Sequence, residues 1–268
     1  MSKESLDARF AFAAELIDEA GALALGFFGQ RESLHITSKG RQDMASEADV
    51  NIERLIRGRL AERFPGDAFL GEETGRAEVE DAEGIWVVDP IDGTQPFVQG
   101  LTSWCVSIAY VRDGDVEMGF VNAPARDESF VGRRGEGATL DGVPIAVSDA
   151  SRLDAGILGI GYSPRIGAQD IVPVIDRVLQ DGAMFYRDGS GTLDLCYVAC
   201  GRLIGYVEPH IMAWDSLAAV AILEGAGGRV SDRLAGDAMW EGAPIVASTP
   251  ALYPILAGYM GISSNGAG

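Results

Sequence analysis

Apolar residues recur at intervals of three and four over residues 6–28 (Leu6, Phe10, Ala13, Ala14, Ile17, Ala20), the period of a helix with one buried face, and Gly29 is placed to end it. The spacing returns over residues 46–64, where Ile52, Leu55, Ile56 and Leu60 form the stripe and Ser46 can cap the start. Asp49 suits the positive end of that helix dipole, and Pro65-Gly66 stops the helix. The pattern then shortens to strands at 68–70, 85–88, 104–111, 116–121 and 129–131, with Asp113-Gly114 as a hairpin signal. From about residue 156 it alternates: strand 156–163, helix 170–179, helix 191–200, strand 203–208, helix 214–224, a strand and a last helix. The chain is therefore expected to be an α/β protein, with an α+β half over 1–150 and an α/β half over 151–268.

A length of 268 residues suits one large or two intimately packed domains that bury roughly three-quarters of the unfolded surface. Thirty-five glycines fall mostly singly, and disorder is expected only at the GISSNGAG tail. Forty acids against twenty-one Lys and Arg give a formal charge of -19, the wrong sign for nucleic acid or an anionic membrane. The same charge suits a site that concentrates divalent cations. Cys105, Cys196 and Cys200 are an odd number in apolar settings, which fits buried thiols rather than a disulfide framework. MSKESLDARF has no apolar signal core and AGALALGFFG is too short to span a bilayer, so a cytoplasmic location is expected.

The apolar run Ile85, Trp86, Val87, Val88 suits a strand buried on both faces, which brings Asp89 to its carboxyl end, where ligand sites of α/β sheets lie. Pro90 forces a turn, Asp92 follows, and Gly93-Thr94 can open a helix whose free N–H groups favour an anion. Asp92 serves equally well as an Asx-turn and helix cap. Glu72 and Glu73 follow a second short strand in FLGEETG, and Trp214-Asp215 begins a helix, where Asp is ordinary dipole complementation. Each acidic group is weak alone; together, beside an anion-friendly helix start, they suit Mg2+ ions that grip phosphate. The chain has no P-loop sequence, and its two histidines, His35 and His210, suit structural or surface positions. Gly135-Glu136-Gly137 and Gly189-Ser190-Gly191 lack the dinucleotide fingerprint and suit turns.

Four segments in order, KGRQDMASEAD (39–49), GEE (71–73), DPIDGTQPF (89–97) and WDSLAAVAILEGAGG (214–228), resemble the inositol monophosphatase family of Mg2+-dependent, lithium-sensitive phosphatases. GSGTLDLCYVACGRLIGYVE, between the last two, extends the likeness over nearly the whole chain. The resemblance implies a layered αβαβα sandwich of the inositol monophosphatase and fructose-1,6-bisphosphatase type, in which the 1–150 half binds metal and phosphate and the 151–268 half completes the site. It implies Glu72, Asp89 and the Ile91 carbonyl as ligands of one metal, and Asp89, Asp92 and Asp215 as ligands of a second. A third, weaker site would involve Glu72 with Asp49 nearby, although Asp49 also suits a helix-terminal carboxylate. Gly93 and Thr94 would meet the phosphate, Thr94 and Glu72 would orient the attacking water, and Asp215 would also lie against substrate.

By the same resemblance Glu208 would accept hydrogen bonds from substrate hydroxyls, Arg187 and Gly191 would contact the leaving group, Li+ would inhibit, and the protein would be a homodimer. On the residues alone, Glu208 also suits a strand-end surface acid, Arg187 an ion pair, Gly191 a packing position, and Lys39 a solvated side chain. Pro96 stands where the family motif usually has Asn, and Gly191 where many members have Ala, so substrate choice departs before the ligand set does. The expectation is a phosphomonoesterase for small polyol or sugar monophosphates, inositol-1-phosphate first, acting by metal-activated water attack. Histidinol phosphate is the alternative substrate, and a non-catalytic metal-dependent binding or regulatory protein the alternative class.

Overall fold

The computed structural model describes residues 5–40, 43–78 and 80–263. Helix α1 (Leu6–Gly29) starts at Ser5, whose hydroxyl accepts from the Ala8 N–H (3.3 Å). A polar hairpin, β1 (Ile36–Gly40) and β2 (Asp43–Ser46), leads into α2 (Glu47–Arg63) and was not anticipated. The Lys39 side chain and most of the expected irregular tail lie outside the described residues.

Next come β3 (Ala68–Gly71), β4 (Gly75–Ala77), β5 (Ile85–Asp92), α3 (Thr94–Gln99), β6 (Cys105–Arg112), β7 (Asp115–Ala123), β8 (Glu128–Arg133), β9 (Gly137–Leu140) and β10 (Val143–Pro144). These strands form one eight-stranded sheet in the order β10-β9-β8-β7-β6-β5-β3-β4, antiparallel except where β3 meets β5. The Asp113-Gly114 turn joins β6 to β7 with both residues at positive φ, as a tight hairpin turn of this hand requires.

The second sheet has the order β12-β11-β13-β15-β14. It is built from β11 (Ile157–Ile160), α4 (Ala168–Gln180), β12 (Met184–Tyr186), α5 (Gly191–Ala199), β13 (Gly205–Ile211), α6 (Leu217–Gly225), β14 (Arg229–Val230), α7 (Ala238–Glu241), β15 (Ala243–Ser248) and α8 (Tyr253–Met260). Two boundaries differ from expectation in ways that matter. β5 runs on to Asp92, and α6 begins at Leu217 rather than Trp214, because the Ala213 carbonyl accepts from both Ser216 (3.2 Å) and Leu217 (2.9 Å) and closes a turn first.

The period-two alternation of the strands sorts the apolar residues into three cores. Trp86, Val88, Val106, Ile108 and Tyr110 pack under α1 and α2, while Val87, Cys105 and Ala109 of the same strands face α5 and α6. On the other sheet Tyr206, Ile245 and Ala247 face that inner core, and Val207 and Val246 face α4 and α8. The layers are thus αβαβα. Helices α5 and α6 are buried nearly all round because a sheet lies on either side of them, which is why their sequences carry no polar stripe. A satisfied polar network ties α1 to the first sheet: Arg9 donates twice to Asp67 (2.7 and 2.8 Å), which also accepts from Trp86 Nε1 (2.9 Å) and Tyr110 (3.2 Å).

Candidate active site

Residues three apart on a regular strand point to opposite faces. In β5 the pairing with β6 shifts, so that Asp89 lies opposite Ser107 and Asp92 opposite Cys105, only two residues away. This bulge turns both carboxylates to the inner face of the sheet, with Pro90 inside the irregular step. β3 is the parallel neighbour of β5, Gly71 beside Val88, so Glu72 leaves the sheet next to Asp89. Glu53 of α2, which the sequence did not single out, is fully buried and accepts from the N–H groups of Glu73 and Thr74 (2.8 Å each), fixing the turn that carries Glu72.

Asp215 comes from the turn before α6. Its carbonyl accepts from Thr192 Oγ1 (2.8 Å), and the Trp214 carbonyl accepts from Ser107 Oγ (3.1 Å). Carboxylate oxygens of Glu72, Asp89 and Asp215 all lie within 4.8 Å of one another. Asp92 sits beside them with Oδ2 held by Ser190 Oγ (2.6 Å) and the Thr192 N–H (2.7 Å). Ser190 and Thr192, at the start of α5, therefore join the Asp92 carboxylate at the end of β5 to the backbone of the Asp215 turn; Gly189-Ser190-Gly191 suggests only a turn, although a serine before a helical run is an N-cap signal.

Gly93 takes a left-handed conformation (φ 92), and a Cβ there would stand 2.6 Å from the Ser103 carbonyl, so only glycine fits. Thr94 Oγ1 donates to the Ile91 carbonyl (3.1 Å) or to Asp49 Oδ1 (3.4 Å). Asp49 stands behind Thr94 rather than in the wall of the cavity. Its Oδ2 accepts from both the N–H and the hydroxyl of Ser46 (2.7 Å each), closing a capping box at the start of α2. The helix-end role is thus occupied, and Asp49 meets the cavity wall through Thr94.

The remaining expected site residues line one cavity of about 1120 Å3 together with the acids. Glu208 is buried, not a surface acid, with Oε2 accepting from Tyr206 (2.6 Å). Arg187 is exposed and makes no ion pair among the described residues; its Nη2 donates to the Tyr162 carbonyl (3.3 Å). Gly191 borders Tyr206 and Glu208, and Pro96 packs against Gly189. Asp194, one turn into α5, lines the same cavity, is 2 % exposed, and has an Oδ1 with no hydrogen-bond partner. It was not foreseen. His35 is exposed, and His210 Nε2 lies 2.9 Å from the Glu241 carbonyl, both away from the cavity wall. Cys105 and Cys196 are buried free thiols, and Cys200 is half-buried.

Burial and crowding set the electrostatics. Asp89 is held well above the usual carboxylate range by burial first and then by the charges of Glu72, Asp215 and Asp92. Burial pushes Asp92 to about 7 against the pull of the Ser190 and Thr192 bonds, Asp49 to about 6, and Glu208 to about 8. It raises Asp215 and Asp194 as well. The donors are carboxylate and carbonyl oxygens, and Asp89 Oδ2 is buried without a partner. A hard divalent cation fits such a set, because it removes the repulsion and satisfies the orphaned oxygen.

Residues 5–261 match the Inositol monophosphatase family. The chain is 36% identical over 223 residues to an inositol-1-monophosphatase of Mesorhizobium japonicum (82% of this chain, 84% of the relative). It is 37% identical over 221 residues to a Nus factor SuhB of Xylella fastidiosa (82% and 80%). Among solved structures it is similar to the inositol monophosphatase of Anabaena (Nostoc), at TM-score 0.82 and 30% identity over 97% of this chain and 98% of that one. It is also similar to the extragenic suppressor protein suhB of Bartonella henselae, at TM-score 0.88 and 30% identity over 94% and 98%. With this fold, this acidic cluster and a match over almost its full length, the chain belongs to the inositol monophosphatase family of phosphoric monoester hydrolases.

Proposed function

We propose that the protein is a Mg2+-dependent phosphomonoesterase for small polyol or sugar monophosphates, with inositol-1-phosphate the first substrate. The observation that carries this reading is the convergence of Glu72, Asp89 and Asp215 oxygens within 4.8 Å, in the wall of a cavity large enough for such an ester. Glu72, Asp89 and the Ile91 carbonyl would hold one Mg2+, Asp89, Asp92 and Asp215 a second, and Glu72 with Asp49 nearby a weaker third. When bound, the cations neutralise phosphate oxygens and make water beside them easier to deprotonate.

The chain's own groups supply the rest. Thr94 Oγ1 has one proton, directed at the Ile91 carbonyl or Asp49, so towards the cavity it can only accept. A water donating one proton to Thr94 and one to Glu72 would present its lone pair to phosphorus, with Glu72 the acceptor of the proton it loses. Gly93 and Thr94 offer backbone donors to the phosphate, and Pro96, lacking an N–H, offers none. Glu208, Arg187 and Gly191 would meet the leaving group.

Relatives of two names bear on the alternatives. The Mesorhizobium name favours the enzyme. The Nus factor name of the Xylella relative favours a second reading, a metal-dependent binding or regulatory protein. Phosphate release from inositol-1-phosphate, tested beside histidinol phosphate, adenosine bisphosphate and fructose bisphosphate, decides between them. Release that stops in EDTA and falls with Li+ supports the enzyme; saturable Mg2+-dependent binding without release supports the second reading. No helix among the described residues is long and apolar enough to cross a membrane; a cytoplasmic location is part of this proposal. The homodimer belongs to it too, and exposed Met184 and Phe185 on edge strand β12 supply apolar surface for a second copy.

A further inference from the structure

Most buried acids of the cavity have an assigned task or donors, and among the described residues Asp194 has neither. It lies in the first turns of α5, 2 % exposed, and its Oδ1 has no hydrogen-bond partner. Glu208 lines the same cavity, 6 % exposed, with one donor among the described residues, the Tyr206 hydroxyl, on Oε2. Asp194 lies in the fields of Asp188, Asp92 and Glu208, and among the described residues neither Asp194 nor Glu208 is in an ion pair. Arg187, whose charge reaches both, is exposed, tied to the Tyr162 carbonyl and screened by solvent, while buried Arg233 lies in the fields of Glu208 and Asp215.

A buried carboxylate without donors is costly, and a ligand that brings protons removes the cost. An ionised carboxylate is acceptor-only, a hydroxyl brings one proton and no charge, and an ammonium brings three protons and the opposite charge. We propose that Asp194 is a specificity-determining residue that forms, with Glu208, a subsite for a protonated amine on the leaving group of the phosphate ester. This rests on the phosphatase reading for its position in a reaction, but not for its existence as a binding site.

Asp194→Asn keeps the shape and hydrogen-bonding capacity of the side chain and removes its charge, and a thermal melt checks that it folds. The test compares kcat/KM on matched esters that differ only in amine against hydroxyl: glucosamine 6-phosphate with glucose 6-phosphate, and 2-aminoethyl with 2-hydroxyethyl phosphate. The native protein is expected to prefer the amine of at least one pair. Asp194→Asn should lower kcat/KM on that amine roughly 10- to 100-fold and leave its hydroxyl partner within about threefold. Equal losses on both members, no preference in the native protein, or a loss of bound Mg2+ in place of amine selectivity would overturn the proposal. Should no ester be hydrolysed, the phosphatase reading fails by itself, and binding of free glucosamine and histidinol against glucose takes over the test. Amine binding lost in Asp194→Asn then supports the subsite, and amine binding that is absent or unchanged removes it.

Discussion

Ser190 Oγ lies 2.6 Å from Asp92 Oδ2, joining the start of α5 to the end of β5 across 98 residues of chain. With the Thr192 N–H on the same oxygen, the bond saturates one side of the carboxylate and leaves the other for a cation. Ser190→Ala removes a charge-assisted donor from a buried acid. Half-activating Mg2+ should rise roughly 10- to 100-fold, with kcat at saturating metal changed far less. Mg2+ titration of phosphate release measures both, and an unchanged Mg2+ requirement would show that Ser190 only caps the helix.

How much of this was legible depended on where the signal lay. Asp89 and Asp92 stood out because a run of buried strand residues ended in acids, yet their common face comes from a bulge that no apolar pattern encodes. The hairpin before α2, ITSKG and DMAS, has few apolar residues and no sustained alternation to read. Asp215 was found, but inside a helix it only precedes, since WDSL serves a helix start and a turn equally well. Glu53 and Asp194 lie within helical stretches where a single acid is unremarkable locally; only the packing of distant elements shows them to be buried.

Asp89 is hemmed in by Glu72, Asp215 and Asp92 and is also a proposed ligand of two cations. Asp89→Asn should therefore move activity and stability in opposite directions. Mg2+-dependent phosphate release should fall by roughly a thousandfold or more, as for loss of a principal electrostatic group. Without metal, the variant should melt a few degrees higher, because a buried carboxylate crowded by other acids is replaced by a neutral amide, although Oδ1 already accepts from the Ile91 N–H (2.9 Å). A lower melting temperature in EDTA would mean that repulsion among these carboxylates does not strain the metal-free protein.

Asp49, Asp92 and Glu208 titrate at about 6, 7 and 8 in the folded protein, above the ordinary 3.8 of Asp and 4.5 of Glu that they regain on unfolding. A group with a raised folded pKa gives its full stabilisation below the unfolded value and loses it as pH climbs through the folded one. The metal-free protein should therefore lose stability steadily between about pH 4 and pH 8. Mg2+ binds the ionised carboxylates, so its stabilisation should grow over the same window. Melting curves at pH 5 and pH 8.5, in EDTA and in Mg2+, test both signs; a metal-free melting temperature that rises with pH would refute them.

Of the two glycines beside Glu208, the resemblance to the family motif points to Gly191, but the geometry gives more weight to Gly161. Its N–H donates to the Val207 carbonyl (2.9 Å), which brings its backbone against β13. A Cβ there would fall far inside contact with the Tyr206 hydroxyl and the Glu208 carboxylate, so Glu208 has to move. A Cβ on Gly191 would stand 3.1 Å from the Tyr206 hydroxyl and from Ile211 Cδ1, and 3.7 Å from Glu208 Oε2, all ends of side chains that can give. Gly161→Ala should raise KM for inositol-1-phosphate roughly tenfold with a smaller change in kcat, because the leaving-group contact moves while Glu72, Asp89 and Asp215 stay in place. Gly191→Ala should stay within about threefold of the native protein in both constants. The opposite ranking would mean that Glu208 is free to shift without cost and that the wall at Gly191 sets the fit of the substrate.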